Sequence, residues 1–322
     1  MFDSRWGYLV AAIFLVICLV LGIGLAAWYA PQPVIGVVRF EDVIDFNTAT
    51  ELINLLEAAR DDGRVAGVAM EILSPGGLAT SSESAFYTML KLREEKPLVV
   101  AIDGLAVSGG YYMAVAGNRI YAPSSSYVGN VGTRGPRPSD PAISPDELSS
   151  GPFKLSGGDR FDRIQQLELV KEAFVGNVVH QRSNAELNPL TIDAATVAEA
   201  RIYLGSEAVA VGLVDAEGGI SDAIAAAAEL AGVSNYQVVN LREFLDMVPE
   251  APPTPEIAAS VTRMMNSAPP DAVFLLDSRM ALPQAAAASD LEKQLMRLRN
   301  VDPATLSATY RPLETAPPTA GD

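Results

Sequence analysis

Short apolar runs alternate with helical patterns over the first 240 residues of the chain. Four runs rich in β-branched residues are typical of buried strands, and they cover residues 34–40, 65–73, 98–102 and 120–122. Apolar residues recur at helical spacing between and after them, over residues 48–61, 81–95, 108–116, 161–181 and 221–231. Strands that alternate with helices pair in parallel through right-handed crossovers, so the pattern predicts an α/β fold with a parallel sheet and crossover helices. The first of these helices is expected to begin at an Asn47 or Thr48 cap.

The N-terminal segment carries a long uncharged run, from Tyr8 to Tyr29. At a rise of 1.5 Å per residue such a helix crosses a hydrocarbon core of about 30 Å. A cleaved signal peptide is the alternative, but its apolar region is usually shorter, and residues 27–30 (AWYA) form a poor cleavage site. We therefore expect residues 1–30 to be an N-terminal membrane anchor whose transmembrane helix spans residues 8–29.

Charged residues beside this run favour one orientation. Arg5 and the free amine lie on the N-terminal side, whereas Arg39 on the far side is followed by Glu41 and Asp42. The positive-inside rule then places the N terminus in the cytoplasm. We expect a single-pass protein of the cell membrane whose body lies on the extracytoplasmic side.

A proline-rich segment divides the body of the chain from its C-terminal part. Residues 249–255 read PEAPPTP, a composition typical of a linker. The predicted organisation is an anchor, a main domain over residues 31–248, and a partly helical tail over residues 249–322 of unknown role.

Composition excludes several classes of site. The chain has one Cys, one His and a formal net charge of −16. A single Cys18 rules out an intrachain disulfide and cysteine-cluster metal sites, and a single His180 rules out multi-histidine metal centres. We therefore expect no metal and no cofactor. The acidic balance argues against nucleic acid as a partner, because phosphate binding requires clustered basic residues. Acidity with few lysines also fits a salty habitat.

Two glycine-rich turns follow two strands of the predicted sheet. The first is Ser74-Pro75-Gly76-Gly77, and the second, Ser108-Gly109-Gly110-Tyr111-Tyr112, opens a helix. Turns at the carboxyl ends of parallel strands are where α/β sheets bind ligands. Glycines let backbone N–H groups approach a substrate oxygen closely. The two turns together supply a serine nucleophile and the backbone donors of an oxyanion hole.

A serine nucleophile requires a base, and the sequence offers few. His180 lies in an apolar-periodic helix, where a histidine is more often structural or exposed. Lysine is an alternative when burial disfavours its charged form. Of the five lysines, four lie in charged or peripheral segments, namely Lys91, Lys96, Lys171 and Lys293. Lys154 differs, because it lies beside Phe153 and Leu155 in an irregular Gly- and Ser-rich segment, and it is the preferred candidate among open alternatives.

The order and spacing of these motifs resemble the signal peptide peptidase A family of membrane serine proteases, peptidase family S49. The resemblance covers about residues 34–240 and rests on an ordered set of segments. These are Ser74–Gly77, Ser108–Ala114, Gly129–Gly132, a Ser-Gly-x-x-Lys ending at Lys154, Ala200–Tyr203, Ala208, and Gly212–Asp215.

The resemblance implies a fold of the ClpP/crotonase superfamily and a serine endopeptidase without a cofactor. It implies that Ser108 is the nucleophile and Lys154 the general base of a Ser-Lys dyad. The amides of Gly109 and of Gly76 or Gly77 would form the oxyanion hole. It further implies a homo-oligomer whose protomers share active sites, and extended substrates with small or apolar side chains, such as signal peptides left in the lipid bilayer.

The sequence departs from the family pattern in two places, at position 130 and in the segment around Lys154, which carries Leu155 and no aligned Pro-Phe pair. Asn130 stands where the family usually has a serine that holds the lysine, and the Asn carbonyl oxygen is able to accept a hydrogen bond from an amine. Three alternatives stay open. They are a related Ser-Lys protease acting on a membrane scaffold protein of the stomatin type, a crotonase-like acyl-CoA enzyme, and a catalytically inactive scaffold.

Overall fold

The computed structural model describes most of the first 247 residues and a few positions beyond them. The described residues are 4–29, 32–135, 150, 160–247, 260, 261, 263, 264, 267 and 273–276. Residues 1–277 form one compact unit, and residues 278–322 form a second unit that lies outside the described residues.

Helices and strands alternate through the main unit as the sequence pattern predicts. The helices are α1 (Ser4–Tyr29), α2 (Phe46–Asp61), α3 (Ala79–Glu95), α4 (Gly109–Ala114), α5 (Arg160–Ser183), α6 (Ala194–Val197), α7 (Gly205–Ala210), α8 (Ile220–Leu230) and α9 (Leu241–Phe244). The strands are β1 (Val34–Phe40), β2 (Val65–Ser74), β3 (Gly76–Leu78), β4 (Leu98–Val107), β5 (Arg119–Ala122), β6 (Tyr127–Gly129), β7 (Ile202–Leu204), β8 (Ala216–Glu217), β9 (Gln237–Asn240) and β10 (Phe274–Leu276).

The main sheet is mostly parallel, which confirms the predicted α/β class. Its strands follow the order β7-β6-β4-β2-β1-β9, and β5 pairs with the first half of β4 and with β8. Only the β6–β7 pair is antiparallel among these pairs. The long strand β4 therefore carries β5 beside its beginning and β6 beside its end, and its carboxyl end leads directly into Ser108.

Two apolar layers cover the sheet. The larger layer includes side chains of α2, α3, α4 and α5, for example Leu52, Phe86, Tyr111 and Phe174, all within 1% of full burial. The smaller layer is built from alanines of α8 against strand residues such as Ile35. Because small alanine side chains let a helix approach closely, α8 closes the second face with little volume.

The start of α2 differs from the prediction. The cap is Asp45, one residue before the helix, and not Asn47 or Thr48. The Asp45 carboxylate accepts hydrogen bonds from the backbone N–H groups of Asn47 and Thr48, both at 2.9 Å, while Thr48 Oγ1 accepts from the Asp45 N–H at 2.9 Å. This reciprocal capping box satisfies donors at the helix start, and an aspartate performs it while also complementing the helix dipole.

The N-terminal helix is long and apolar enough to cross a membrane. Its segment Trp6–Leu25 has a mean hydropathy of 2.9, and none of it is buried against the protein. A signal sequence would have the same properties. Cys18 is exposed on this helix.

A buried ion pair ties α5 to the segment that precedes β8. The Arg182 guanidinium donates to both Asp215 carboxylate oxygens, at 3.0 and 2.9 Å. It also donates to the carbonyls of Gly212 and Asn188, and Asp215 Oδ2 accepts from the Ile120 N–H at 2.7 Å. Both side chains are almost completely buried. Every strong polar group of the pair thus has a partner, as burial of charge requires.

We expect Asp215→Ala to destabilise the fold strongly, because it leaves the buried Arg182 charge without its counter-ion. Loss of one partner of a buried pair costs about 3–5 kcal/mol of the free energy of unfolding. Urea denaturation measures the change. Glu199→Ala is the matched control, since it breaks the exposed Arg201–Glu199 pair and should have little effect. Equal losses in the two variants would contradict this account.

A second, small sheet lies at the carboxyl end of β2. In it β3 pairs antiparallel with β10, and Leu78, Gly77 and Gly76 lie opposite Phe274, Leu275 and Leu276. Residues beyond the proline-rich segment therefore contribute a strand to the main unit. The proposed boundary at residue 248 stays a prediction.

Candidate active site

Ser108 occupies a strained turn between β4 and α4. Its backbone has φ 55° and ψ −123°, a left-handed value that is uncommon for a residue with a side chain. Its N–H donates to the Gly129 carbonyl at 2.8 Å, and its own carbonyl accepts from the Tyr112 N–H at 2.9 Å. These two bonds fix the turn from both sides. Backbone strain of this kind persists where the surroundings enforce it, and it is common at nucleophiles on strand-to-helix turns.

The Ser108 hydroxyl lies in the interior of the protein. The residue is 1% exposed, and Oγ has no hydrogen-bond partner among the residues that the structure describes. A buried hydroxyl without a hydrogen bond is costly. Such a cost is expected at a reactive group whose partner is a base or a substrate.

Glycines let the two turns approach each other. A Cβ placed on Gly110 would lie 2.6 Å from the Ser74 carbonyl oxygen, and one on Gly76 would lie 2.7 Å from the Gly109 nitrogen. No side chain fits in either gap. Gly76 also has φ 95°, which favours glycine independently. The structure thus brings together Gly76, Gly77, Ser108 and Gly109, as the sequence predicts.

Hydrogen bonds distinguish the amides of Gly76 and Gly77. The Gly76 N–H donates to Ser74 Oγ at 3.2 Å, and that hydroxyl donates in turn to the Asp42 carbonyl at 2.7 Å. The Gly76 carbonyl and the Leu78 N–H both bond to Ile44. Because backbone groups alternate along a strand, the Gly77 N–H points to the opposite edge, toward β10. The Gly76 N–H is therefore already bonded within its own turn, whereas the Gly77 N–H faces β10.

Asn130 lies at the end of β6, next to Gly129, in a left-handed conformation with φ 56°. Its backbone N–H donates to the Arg201 carbonyl at 2.7 Å, and its side-chain Nδ2 donates to the Ala200 carbonyl at 2.9 Å. These bonds link two of the segments that carry the family resemblance. They fix the amide so that Oδ1 is the atom left to accept a hydrogen bond from a lysine.

The candidates for the general base differ in where the structure places them. Lys154 lies outside them, so its role stays a prediction. His180 is exposed near the end of α5, whereas Ser108 is buried, which disfavours the histidine. Lys171 pairs with Glu168 on the helix surface.

Lys96, which the sequence places in a charged segment, is not fully exposed to solvent. It is half-buried, and its Nζ donates to the carbonyls of Ala59 and Asp62 at 2.8 and 2.6 Å. Burial lowers its pKa. Its amine therefore binds backbone carbonyls at the end of α2, which is a structural role.

Two tyrosines of α4 fix this helix through hydrogen bonds and aromatic packing. The Tyr111 hydroxyl donates to the Leu213 carbonyl at 2.7 Å, and Asn177 Nδ2 donates to the Tyr112 hydroxyl at 2.6 Å. The Tyr112 ring stacks on Phe86 and contacts Phe174, with centroid distances of 4.6 and 4.5 Å. Burial raises the pKa of both tyrosines, so both phenols stay neutral. This packing fixes the helix start that follows Ser108.

Sequence reasoning missed three contributors to the site. Ser74 is part of the first motif, but only its contacts show that it anchors Gly76. Ser82 Oγ donates to the Leu78 carbonyl at 2.8 Å and lies beside Gly109, where a Cβ would be 2.4 Å away. Arg134 contacts β10 through its backbone.

Within the described ranges, no group of three or more His, Cys, Asp or Glu is arranged to hold a metal ion.

The arrangement provides the parts of an acyl-transfer site. A strained turn presents a buried serine, and Gly109 of that turn lies close to the Gly76-Gly77 segment. A buried serine beside glycine amides is the arrangement that acyl transfer requires of a nucleophile and its oxyanion donors.

Comparison with known proteins agrees with this geometry. Residues 91–136 match the model of peptidase family S49, a span that includes Ser108 and Asn130. The chain is similar to the chloroplastic serine protease SPPA of Arabidopsis thaliana, with 29% identity over 61% of this chain and 30% of that protein.

Two further relatives extend the likeness to archaea and bacteria. A putative protease of Methanocaldococcus jannaschii is 30% identical over 58% of this chain and 63% of its own length. Protease 4 of Salmonella typhi is 30% identical over 59% of this chain and 33% of its own length. The chain thus spans less than two thirds of the length of each of these relatives.

Proposed function

We propose that this chain, a relative of the S49 peptidases of the signal peptide peptidase A type, is a serine endopeptidase with a Ser-Lys dyad. The observation that carries the proposal is the Ser108 turn, where a hydroxyl at 1% exposure has no partner in the described residues and the following Gly109 lies close to Gly76. Serine is activated by a base that takes its proton. We assign that role to Lys154 and an orienting role to Asn130.

The reaction proceeds through an acyl-enzyme. Ser108 Oγ attacks the carbonyl carbon of the scissile peptide bond while Lys154, neutral before the step, accepts the hydroxyl proton. The amides of Gly77 and Gly109 stabilise the negative charge that develops on the carbonyl oxygen. Lys154 then passes the proton to the leaving amine. A water molecule hydrolyses the ester by the same route in reverse, which frees a carboxylate and restores Ser108.

The proposed substrates are extended, apolar peptides close to a membrane. One edge of β3 pairs with an extended segment, β10, and such pairing is how peptides add to a sheet. A transmembrane anchor over residues 8–29 would hold the site near signal peptides and other misfolded or membrane-associated chains. The same chemistry directed at a membrane scaffold protein of the stomatin type is distinguished by comparing membrane proteomes with and without the active protein.

We further infer a homo-oligomer in which neighbouring protomers contribute to one active site. The catalytic domain would lie on the extracytoplasmic side of the membrane. Site-specific cysteine labelling of intact cells tests this topology, because a reagent that does not cross the membrane reaches only extracytoplasmic thiols.

Covalent labelling tests the proposed function directly. The detergent-solubilised full chain is treated with a fluorophosphonate, and the modified residue is mapped by mass spectrometry. We expect labelling at Ser108, together with hydrolysis of an apolar fluorogenic peptide. Failure of Ser108 to react while the protein is folded would favour the inactive scaffold, and acyl-CoA binding without peptide cleavage would favour the crotonase-like alternative.

A further inference from the structure

A segment of the chain itself lies between β3 and Arg134, next to Gly109 of the Ser108 turn, and we call this space the groove. Strand β10 pairs with β3 on one side. On the other side the Phe274 N–H donates to the Arg134 carbonyl at 2.9 Å, and the Arg134 N–H donates to the Phe274 carbonyl at 3.0 Å. The Ala79 N–H adds a bond to the Val273 carbonyl at 2.9 Å. An extended peptide with backbone partners on both edges is held as a bound substrate would be.

The register brings one carbonyl of this segment to the proposed oxyanion donors. Leu275 lies opposite Gly77, and backbone alternation points the Gly77 N–H toward that residue. A Cβ built on Gly76 would lie only 1.9 Å from the Leu275 carbonyl oxygen, and one built on Gly109 would lie 3.1 Å from it. The Leu275 carbonyl therefore occupies the place where the reacting carbonyl of a substrate is expected.

Burial indicates that the segment is held by its side chains as well. Leu275 is fully buried, and Phe274 and Leu276 are 7% and 3% exposed. Leu275 belongs to the same apolar cluster as Ile44 and Phe86. Three apolar residues in sequence match the kind of peptide that the proposed function takes.

We propose that residues 273–276, the inhibitory strand, occupy the peptide groove and compete with substrate, so that the enzyme is latent until the strand leaves. The inference rests on the proposed function, since it assigns this groove to peptides. When the groove is free in only a fraction of the molecules, the apparent affinity for substrate is the intrinsic affinity multiplied by that fraction. Displacement of the strand is then the step that activates the enzyme.

A reversible disulfide lock tests the proposal. Leu78 and Phe274 lie opposite each other, and the hydrogen bonds of their neighbours make this a non-hydrogen-bonded pair. Such pairs have Cα atoms about 4.5 Å apart, which suits a disulfide. The full chain carries Leu78→Cys and Phe274→Cys, with Cys18→Ala to remove the native thiol. The matched control carries Tyr127→Cys and Leu204→Cys, an equivalent antiparallel pair across β6 and β7.

Binding and cleavage are measured separately. A fluorescein-labelled peptide with the sequence of residues 272–276 is titrated into each variant in a Ser108→Ala background, and hydrolysis of an apolar peptide is measured with Ser108 present. We expect the oxidised lock to weaken binding and slow hydrolysis at least about tenfold, with recovery on reduction. The oxidised control should match its reduced form.

Three results would overturn the inhibitory strand. They are failure of the Leu78–Phe274 disulfide to form, unchanged peptide binding in the oxidised lock, and equal loss in the control. Failure of the proposed function appears differently, as absence of hydrolysis in every variant while the lock still blocks peptide binding. A second variant, Leu275→Asp, should have the opposite effect. It places a charge in an apolar site, so the inhibitory strand binds less well and the added peptide should bind more tightly.

Discussion

Replacing Ser108 by alanine is expected to reduce peptide hydrolysis by on the order of 10³-fold or more, because it removes the hydroxyl that we propose forms the acyl-enzyme. The substitution deletes a hydroxyl that has no hydrogen bond in the described part of the chain, so the fold should not lose stability. Steady-state hydrolysis of an apolar fluorogenic peptide measures the first effect, and thermal unfolding measures the second.

Ser126 provides a matched control for this experiment. It is fully buried, its Oγ also has no partner in the described part of the chain, and it lies in the turn before β6, away from the strand-to-helix turn of Ser108. Ser126→Ala should therefore keep full activity. If Ser108→Ala retained activity, or if both variants lost it equally, Ser108 would not be the nucleophile.

Replacing Lys154 by alanine is expected to reduce hydrolysis by about 10²–10⁴-fold, the usual contribution of a general base. Lys154→Arg should not restore activity, because a guanidinium stays protonated at all working pH values and cannot accept the serine proton. Lys171→Ala is the control, since Lys171 pairs with Glu168 on the surface of α5.

The role of Lys154 as a base also predicts how activity depends on pH. A lysine acts as a base only when it is neutral, so activity of the unsubstituted protein should fall as the pH is lowered through the apparent pKa of the base. That value should lie well below about 10.4, the pKa of an exposed lysine. A profile without this limb, or a Lys154→Ala variant that keeps it, would show that another group is the base.

Part of the site follows from local sequence patterns. Apolar runs locate the long strands, because burial on both faces requires continuous β-branched stretches. The Ser74–Gly77 and Ser108–Tyr112 turns follow those strands directly, so their place at one edge of a parallel sheet is a consequence of strand direction. For this reason the proximity of Ser108, Gly109, Gly76 and Gly77 was predictable before any coordinates.

Other parts depend on contacts between distant residues. The three-residue strands β3 and β10 are too short to show a periodicity, and they exist because each supplies the backbone partners of the other. The cap of α2 was missed because Asp45 and Thr48 act as a pair. The position of Lys96 was missed because a charged helix end usually faces solvent, whereas here α2 presents two carbonyls to it.

The sequence by itself determined the class of this protein. Periodicity fixed the α/β order of elements, an uncharged N-terminal run indicated a helix of membrane-spanning length, and the ordered glycine motifs resembled those of the S49 peptidases. Each of these features depends on residues that are close together in the sequence.

Only the tertiary structure decided how the site is arranged. It gave Ser108 a strained, buried turn, used the Gly76 amide to bind Ser74, and placed residues 273–276 between β3 and Arg134. Each of these depends on backbone hydrogen bonds between segments far apart in sequence. A one-dimensional pattern does not specify such bonds, because any extended backbone offers the same donors and acceptors.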